Sequence, residues 1–158
     1  MPKKLTQNTH IDLDSLPGHH IRRLQQIAVA IFLQETESLG MTPVQYGALQ
    51  GIANAPGIDQ RSLARSIGLD TSTIATVIDR LEARELVQRG ASPDDRRVRL
   101  LTLTDAGKKE LTAVLPAMQR AQQRILEPLP EVERAEFMRM LRTIVTANND
   151  LSRAPSAS

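Results

Sequence analysis

A mainly α-helical chain carrying one small β-hairpin is the fold class this sequence predicts, on three observations. Apolar residues recur at helical spacing over most of the 158 residues. Two short β-prone runs, Val87 to Ser92 and Val98 to Leu103, flank the turn composition Pro93-Asp94-Asp95-Arg96-Arg97. At 41% apolar the chain can also bury a core without covalent staples. The absence of cysteine excludes disulfides, thiolate metal ligands and thiol switching, and fits a reducing cytoplasm. No apolar run approaches the roughly 18 residues of a membrane span, and the start lacks a signal-peptide pattern, so a soluble cytoplasmic protein is expected.

Residues 1–15 are polar and lack a helical period, so they read as a flexible arm, and 152–158 read as a flexible tail. From Leu16 to about Leu39 a first helix is expected, with Ile21, Leu24, Ile27, Ala28 and Ile31 on one apolar side. Val29, Phe32 and Leu33 make a second side, so this helix calls for two partners. Gly40 ends it, and Thr42-Pro43 opens a second helix that runs to about Ala55 before Pro56-Gly57. Gln60 to Ile67 reads as a short helix, Gly68-Leu69-Asp70 as a tight turn, and Asp70 as the N-cap of a helix whose buried stripe is Ile74, Val77, Ile78 and Leu81. The two β-prone runs then form a two-stranded hairpin. Thr104-Asp105 caps a long helix that Pro116 should bend, and after Pro128-Leu129-Pro130 a last helix is expected to turn Val132, Phe137, Leu141, Ile144 and Val145 inward.

Helix, turn, helix and basic hairpin in that order make a winged helix-turn-helix spanning residues 40–104. Residues 16–39 and 105–151 would form a helical dimerisation region, because the terminal helices show no obvious core of their own within one chain. A helix in the major groove and an arginine tip in the minor groove let such a unit read a duplex. Bulk charge does not make this case, since residues 59–104 carry eight arginines against seven acids. Residue type does more, with sixteen of twenty basic side chains being arginine. Phe32, Tyr46 and Phe137 are the only aromatics, poor provision for stacking unpaired bases, so duplex DNA is the better substrate.

The order of parts resembles the MarR family of bacterial transcription regulators from about Leu16 to Leu151. The residues that carry the likeness are Gln60-Arg61-Ser62-Leu63-Ala64, Thr76-Val77-Ile78-Asp79-Arg80-Leu81-Glu82, and Asp95-Arg96-Arg97 leading to Leu103-Thr104-Asp105-Ala106-Gly107. The stretch Leu16-Pro17-Gly18-His19-His20-Ile21-Arg22-Arg23 also looks like the first helix of MarR-type repressors that control nicotinate breakdown in response to a hydroxylated pyridine carboxylate. The resemblance implies a homodimer of winged helix units, with a small ligand bound between the dimer region and the DNA-reading region. It implies regulation and not catalysis.

For DNA contact the sequence nominates Ser72, Thr73, Thr76 and Arg80 on the free face of the recognition helix, and Arg97 at the wing tip. Asp95 is expected to hold the Arg97 guanidinium, Arg96 to touch phosphate, and Asp79 to pair with an arginine of the protein. Arg61 and Arg65, about one turn apart, either clamp phosphate or are solvated surface. His19, His20 and Arg23 at the first helix start can receive the carboxylate of a small aromatic acid, with Tyr46 and Gln50 lining the opposite wall. The plainer reading is a polar helix start beside ordinary interface packing. Three histidines without paired spacing argue against a metal, and no nucleophile elbow, phosphate-cradling glycine loop or catalytic carboxylate pair points to a cofactor or an enzyme. A ligand-independent architectural or activating DNA binder, and a helical interaction module without DNA binding, stay open as rivals.

Overall fold

Turn chemistry sets the boundaries of the elements in the computed structural model, which describes residues 9–152. Helix α1 (Pro17–Glu35) starts with proline in its first turn, where the missing N–H costs nothing. The α-helical part stops at Glu35, earlier than the sequence predicts, and a 3-10 turn over Glu37–Leu39 completes the span. Thr36 stands at this stop: its buried hydroxyl reaches the carbonyls of Phe32 and Met41, both at 2.9 Å, and ties the end of α1 to the approach to α2. Helix α2 (Pro43–Asn54) opens with a reciprocal capping box between Thr42 and Gln45.

Helix α3 (Gln60–Ser66) ends in a Schellman motif, with Leu69 N–H bonded to Ala64 O at 2.9 Å and Gly68 at φ 72°. Helix α4 (Thr71–Ala83) ends the same way, Leu86 N–H reaching Leu81 O at 3.0 Å. Here the left-handed position is held by Glu85, at φ 59°. Strands β2 (Val87–Ala91) and β3 (Arg99–Leu103) pair antiparallel with Arg89 opposite Leu101. The expected two-stranded hairpin is a three-stranded sheet: β1 (Ile58–Asp59) joins the other edge of β3, Ile58 opposite Leu101. Two residues show no alternation, and their partner lies some forty positions away, so local pattern could not reveal this strand.

Helix α5 (Asp105–Leu126) runs unbroken through Pro116. Its start is welded to the junction of α4 and β2. Thr104 N–H bonds Leu86 O at 3.1 Å, Thr104 Oγ1 donates to Glu85 O at 2.6 Å, and the same hydroxyl accepts from Gly107 N–H at 3.0 Å. Gly107 is forced by the closeness of this weld, because a Cβ there would lie 2.1 Å from Leu86 O.

The core gathers Leu49 and Ile52 of α2, Leu63 of α3, Ile74, Ile78 and Leu81 of α4 and Leu101 of β3, all fully buried. It continues into Phe32 of α1 and Val114 and Ala121 of α5. Helices α1 and α5 therefore do share a core within one chain, contrary to the expectation that they have none. Glu35 adds an ion-pair clamp, accepting from Arg120 at 2.9 Å and Arg124 at 2.8 Å, and those hydrogen bonds hold its carboxyl below its ordinary pKa.

Helix α6 (Glu131–Ala147) departs furthest from expectation. Val132, Ile144 and Val145, expected inward, are exposed on the protomer, Val132 at 88%, while Phe137 and Leu141 are half-buried. Their helical period is real, but one chain supplies no surface for all of it. The N-terminal arm also differs in part: Leu13–Ser15 forms a 3-10 turn capped by Asp12, and Asp14 O accepts from His20 Nε2 at 2.8 Å. Of the rest of the expected arm and tail, 1–8 and 153–158 lie outside the described residues. Among the described residues no helix is long and apolar enough to cross a membrane.

Candidate nucleic-acid interface

Helix α4 turns Ile74, Val77, Ile78 and Leu81 into the core, so Ser72, Thr76, Asp79 and Arg80 are left on its outer face. Asp70 fixes where that face begins. Its carboxylate accepts from Thr73 N–H, Ser72 Oγ and Thr73 Oγ1 at 2.6–2.7 Å. Those donors, the Ser72 hydroxyl first, hold its carboxyl far below the usual carboxylate range. This qualifies the expected roles of Ser72 and Thr73, whose hydroxyls are turned into the cap rather than outward. Thr76 is exposed, its hydroxyl bonded to Ser72 O at 3.2 Å, and Arg80 is exposed with no partner among the described residues.

The wing tip corrects a second detail. The Asp95 carboxylate accepts from the backbone N–H of Arg97 at 2.9 Å and does not hold its guanidinium. It shapes the turn, together with Val98 N–H bonded to Asp95 O at 3.0 Å, and so aims both arginines outward. Arg96 and Arg97 are exposed, and neither side chain has an ion pair among the described residues. On α3, Arg61 is exposed with no ion pair among the described residues, while Arg65 is half-buried with a long 3.4 Å contact to Ser62 Oγ. Asp59 caps α3 through Ser62 N–H and Oγ at 2.9 and 2.6 Å, which lowers its pKa against the opposing effect of burial.

The sequence missed Arg89. From β2 this guanidinium bonds Asp79 and Glu82 of α4, both at 2.5 Å, with Gln60 Oε1 of α3 at 3.5 Å. Burial opposes its charge, but the two carboxylates raise its pKa above the ordinary value. Asp79 does pair with an arginine, as expected. The three-residue spacing of Asp79 and Glu82 was the available signal, but only the strand register identifies the partner.

The residues nominated for a ligand fall into two places. His20 and Arg23 line an apolar groove of about 590 Å³ between α1, the end of α5 and α6, with Ile27, Phe137 and Leu141. Because a carbonyl only accepts, Nε2 is the donor in the His20 bond to Asp14 O. His19 does not line this groove; it is half-buried with its ring edge-on to His20, and its pKa is lowered by burial and then by Arg22 and Arg23. Tyr46 instead packs at a tilt against Phe32, with ring centres 5.9 Å apart and planes inclined by 52°, and donates to Gln50 Oε1 at 3.2 Å. Gln50 bonds on to Asn54 at 2.8 Å. In one protomer Tyr46 and Gln50 do not line the groove of His20 and Arg23.

A polar-faced helix with a basic hairpin fixed beside it, both carried on a helix-turn-helix core, defines a duplex-reading winged helix protein. The chain belongs to the MarR family, whose model matches residues 41–98. It is 30% identical over 156 residues to the HTH-type transcriptional repressor NicR of Pseudomonas putida, covering 95% of this chain and 99% of that one. Among solved structures it is similar to the PcaV regulator of Streptomyces coelicolor in complex with its natural ligand. There the TM-score is 0.79 and the identity 35%, with 87% and 97% of the two chains covered. Bordetella bronchiseptica BpsR, studied for regulation of its DNA binding by 6-hydroxynicotinic acid, superposes with a TM-score of 0.82 at 28% identity, over 85% and 96% of the two chains. The protein is a DNA-binding transcription regulator and not an enzyme.

Proposed function

We propose that the protein is a repressor that binds a pseudo-palindromic operator as a homodimer and is released by a small aromatic carboxylate. The observation that carries the reading is that Arg61 of α3, Thr76 and Arg80 of α4, and Arg96 and Arg97 of the wing turn all stand exposed, with the turn fixed by the Asp95 carboxylate. Thr76 and Arg80 read base edges in the major groove, Arg97 enters the minor groove, and Arg61, Arg65 and Arg96 hold phosphate. Ser72 and Thr73 approach the backbone through the capped first turn of α4.

Dimerisation is supported by the apolar residues left open on α1 and α6, including Ile21, Ile27, Ile144 and Val145. In a two-fold assembly the recognition helices would sit about one DNA turn, roughly 34 Å, apart. The likeness to NicR and BpsR supports a hydroxylated pyridine carboxylate as inducer, with His19, His20 and Arg23 receiving the carboxylate and Tyr46 and Gln50 supplying a separate polar wall. A preference of about 1.4 kcal/mol for a dimer whose helices are mis-spaced lowers operator affinity about tenfold. Such a regulator works in the cytoplasm.

The test is fluorescence anisotropy with the DNA upstream of the protein's own coding sequence, at fixed salt, with and without 6-hydroxynicotinate. Tight binding that the acid releases is the expected result. Binding that the acid leaves unmoved removes the inducer class, and absence of binding to any duplex overturns the operator reading.

A further inference from the structure

We infer that Arg89 is a positioning residue for DNA recognition, bracing the recognition helix against the wing while cancelling two carboxylates that would otherwise face the phosphates. The inference rests on the reading of this face as a duplex interface.

Three elements carry the proposed DNA contacts, and Arg89 joins them all. It leaves β2 on the same side as buried Val87, opposite buried Leu101 of β3, so its stem lies against the sheet and its head reaches α4. Asp79 and Glu82 are three residues apart on α4 and so stand side by side, each taking one terminal nitrogen of the fork. Gln60, the first residue of α3, meets the nitrogen that also holds Asp79. The guanidinium side chain is only 21% exposed, whereas that of Asp79 is 66% exposed. The less exposed partner is thus the cation, and the anion stands in the open on the stripe that also holds Ser72 and Thr76.

That placement creates an electrostatic problem which Arg89 solves. A bare carboxylate on a phosphate-facing stripe opposes duplex binding, and Glu82 beside it adds to the effect. A lysine in place of Arg89 offers one charge but no planar fork to bridge two carboxylates. Strand and helix are then free to shift relative to each other, and with them the wing arginines relative to Thr76 and Arg80.

The test is a double-mutant cycle read by anisotropy on DNA from upstream of the protein's own gene, with thermal unfolding recorded for every variant. Arg89→Gln is expected to weaken binding at least about tenfold, a loss of about 1.4 kcal/mol. Asp79→Asn is expected to change wild-type affinity by less than about threefold, yet to raise the affinity of Arg89→Gln by more than about threefold. A residue that only supported the fold would give no such reversal, because removing Asp79 restores no packing. Arg89→Lys, which keeps the charge, is expected to fold and to bind with a smaller ratio of operator to random-duplex affinity. Equal effects of Asp79→Asn in both backgrounds, or an Arg89→Lys variant with undiminished selectivity, overturn the inference. Wild-type protein that binds no duplex refutes the interface reading instead, so the two failures are distinguishable.

Discussion

Gly107→Ala tests the weld between the DNA-reading unit and α5. The new Cβ would stand 2.1 Å from Leu86 O, and the nearest atoms are all backbone of Leu86, so no side chain can swing away. Relief requires the two segments to part by more than an ångström. That breaks the bonds from Thr104 N–H to Leu86 O and from Thr104 Oγ1 to Glu85 O. Each is worth about 1 kcal/mol net, and loosened packing around buried Leu86 and Val87 adds about 1–2 kcal/mol. Alanine's better helix propensity returns about 1 kcal/mol, leaving a net loss of about 2–3 kcal/mol. For a chain of this size the unfolding midpoint should fall by about 5–10 °C, measured by far-ultraviolet circular dichroism. Gly47→Ala is the control: it makes the same change in mid-α2, with nothing within 4 Å of the added carbon, and should stabilise by up to about 1 kcal/mol. Equal midpoints for wild type and Gly107→Ala would refute the weld.

Three further outcomes are expected. Arg97→Ala should weaken binding to all duplexes and lower the slope of log affinity against log salt by about 1, whereas substitutions at Thr76 or Arg80 should change which sequences are preferred; equal loss on every sequence from all three sinks that division. Glu85→Gly should stabilise by about 1 kcal/mol in urea unfolding, because φ 59° suits glycine and the Schellman bonds of α4 are made by backbone alone. The Asp70 carboxyl lies below its unfolded value of 3.8, so its cap stabilises above that value and the contribution is lost as pH falls through the native one. Asp70→Asn should therefore flatten the acid limb of stability measured between about pH 6 and about pH 2.

Most of the fold was legible because its helices carry local signals. Thr42 and Asp70 cap where their side chains predict, and the stripe Ile74, Val77, Ile78 and Leu81 is buried as its spacing requires. What escaped depends on register or on more than one chain. Strand β1 exists only through its pairing with β3, and Arg89 meets Asp79 and Glu82 only because β2 returns along α4. The period of α6 was read correctly, yet periodicity names an apolar face without naming its cover. For the interface, the positions of Arg80 and Arg97 followed from helix phase and hairpin turn. The hydroxyl orientations of Ser72 and Thr73 did not, since they are set by competition for Asp70. Tyr46 and Gln50 share the spacing of a wall, but Tyr46 packs against Phe32 and neither residue lines the groove of His20 and Arg23.

Helix α5 makes the molecule a lever. Its 22 residues span about 33 Å without a break, one end fixed to the recognition helix through Leu86 and the other to α1 through Glu35. A rod of that length tilted by about 5° moves its far end by about 3 Å. The rise per base pair along one strand is about 3.4 Å, so a displacement of that size is nearly one step of the duplex. Stiffness in the shaft, more than motion in the head, sets how far a small event among the outer helices can reach.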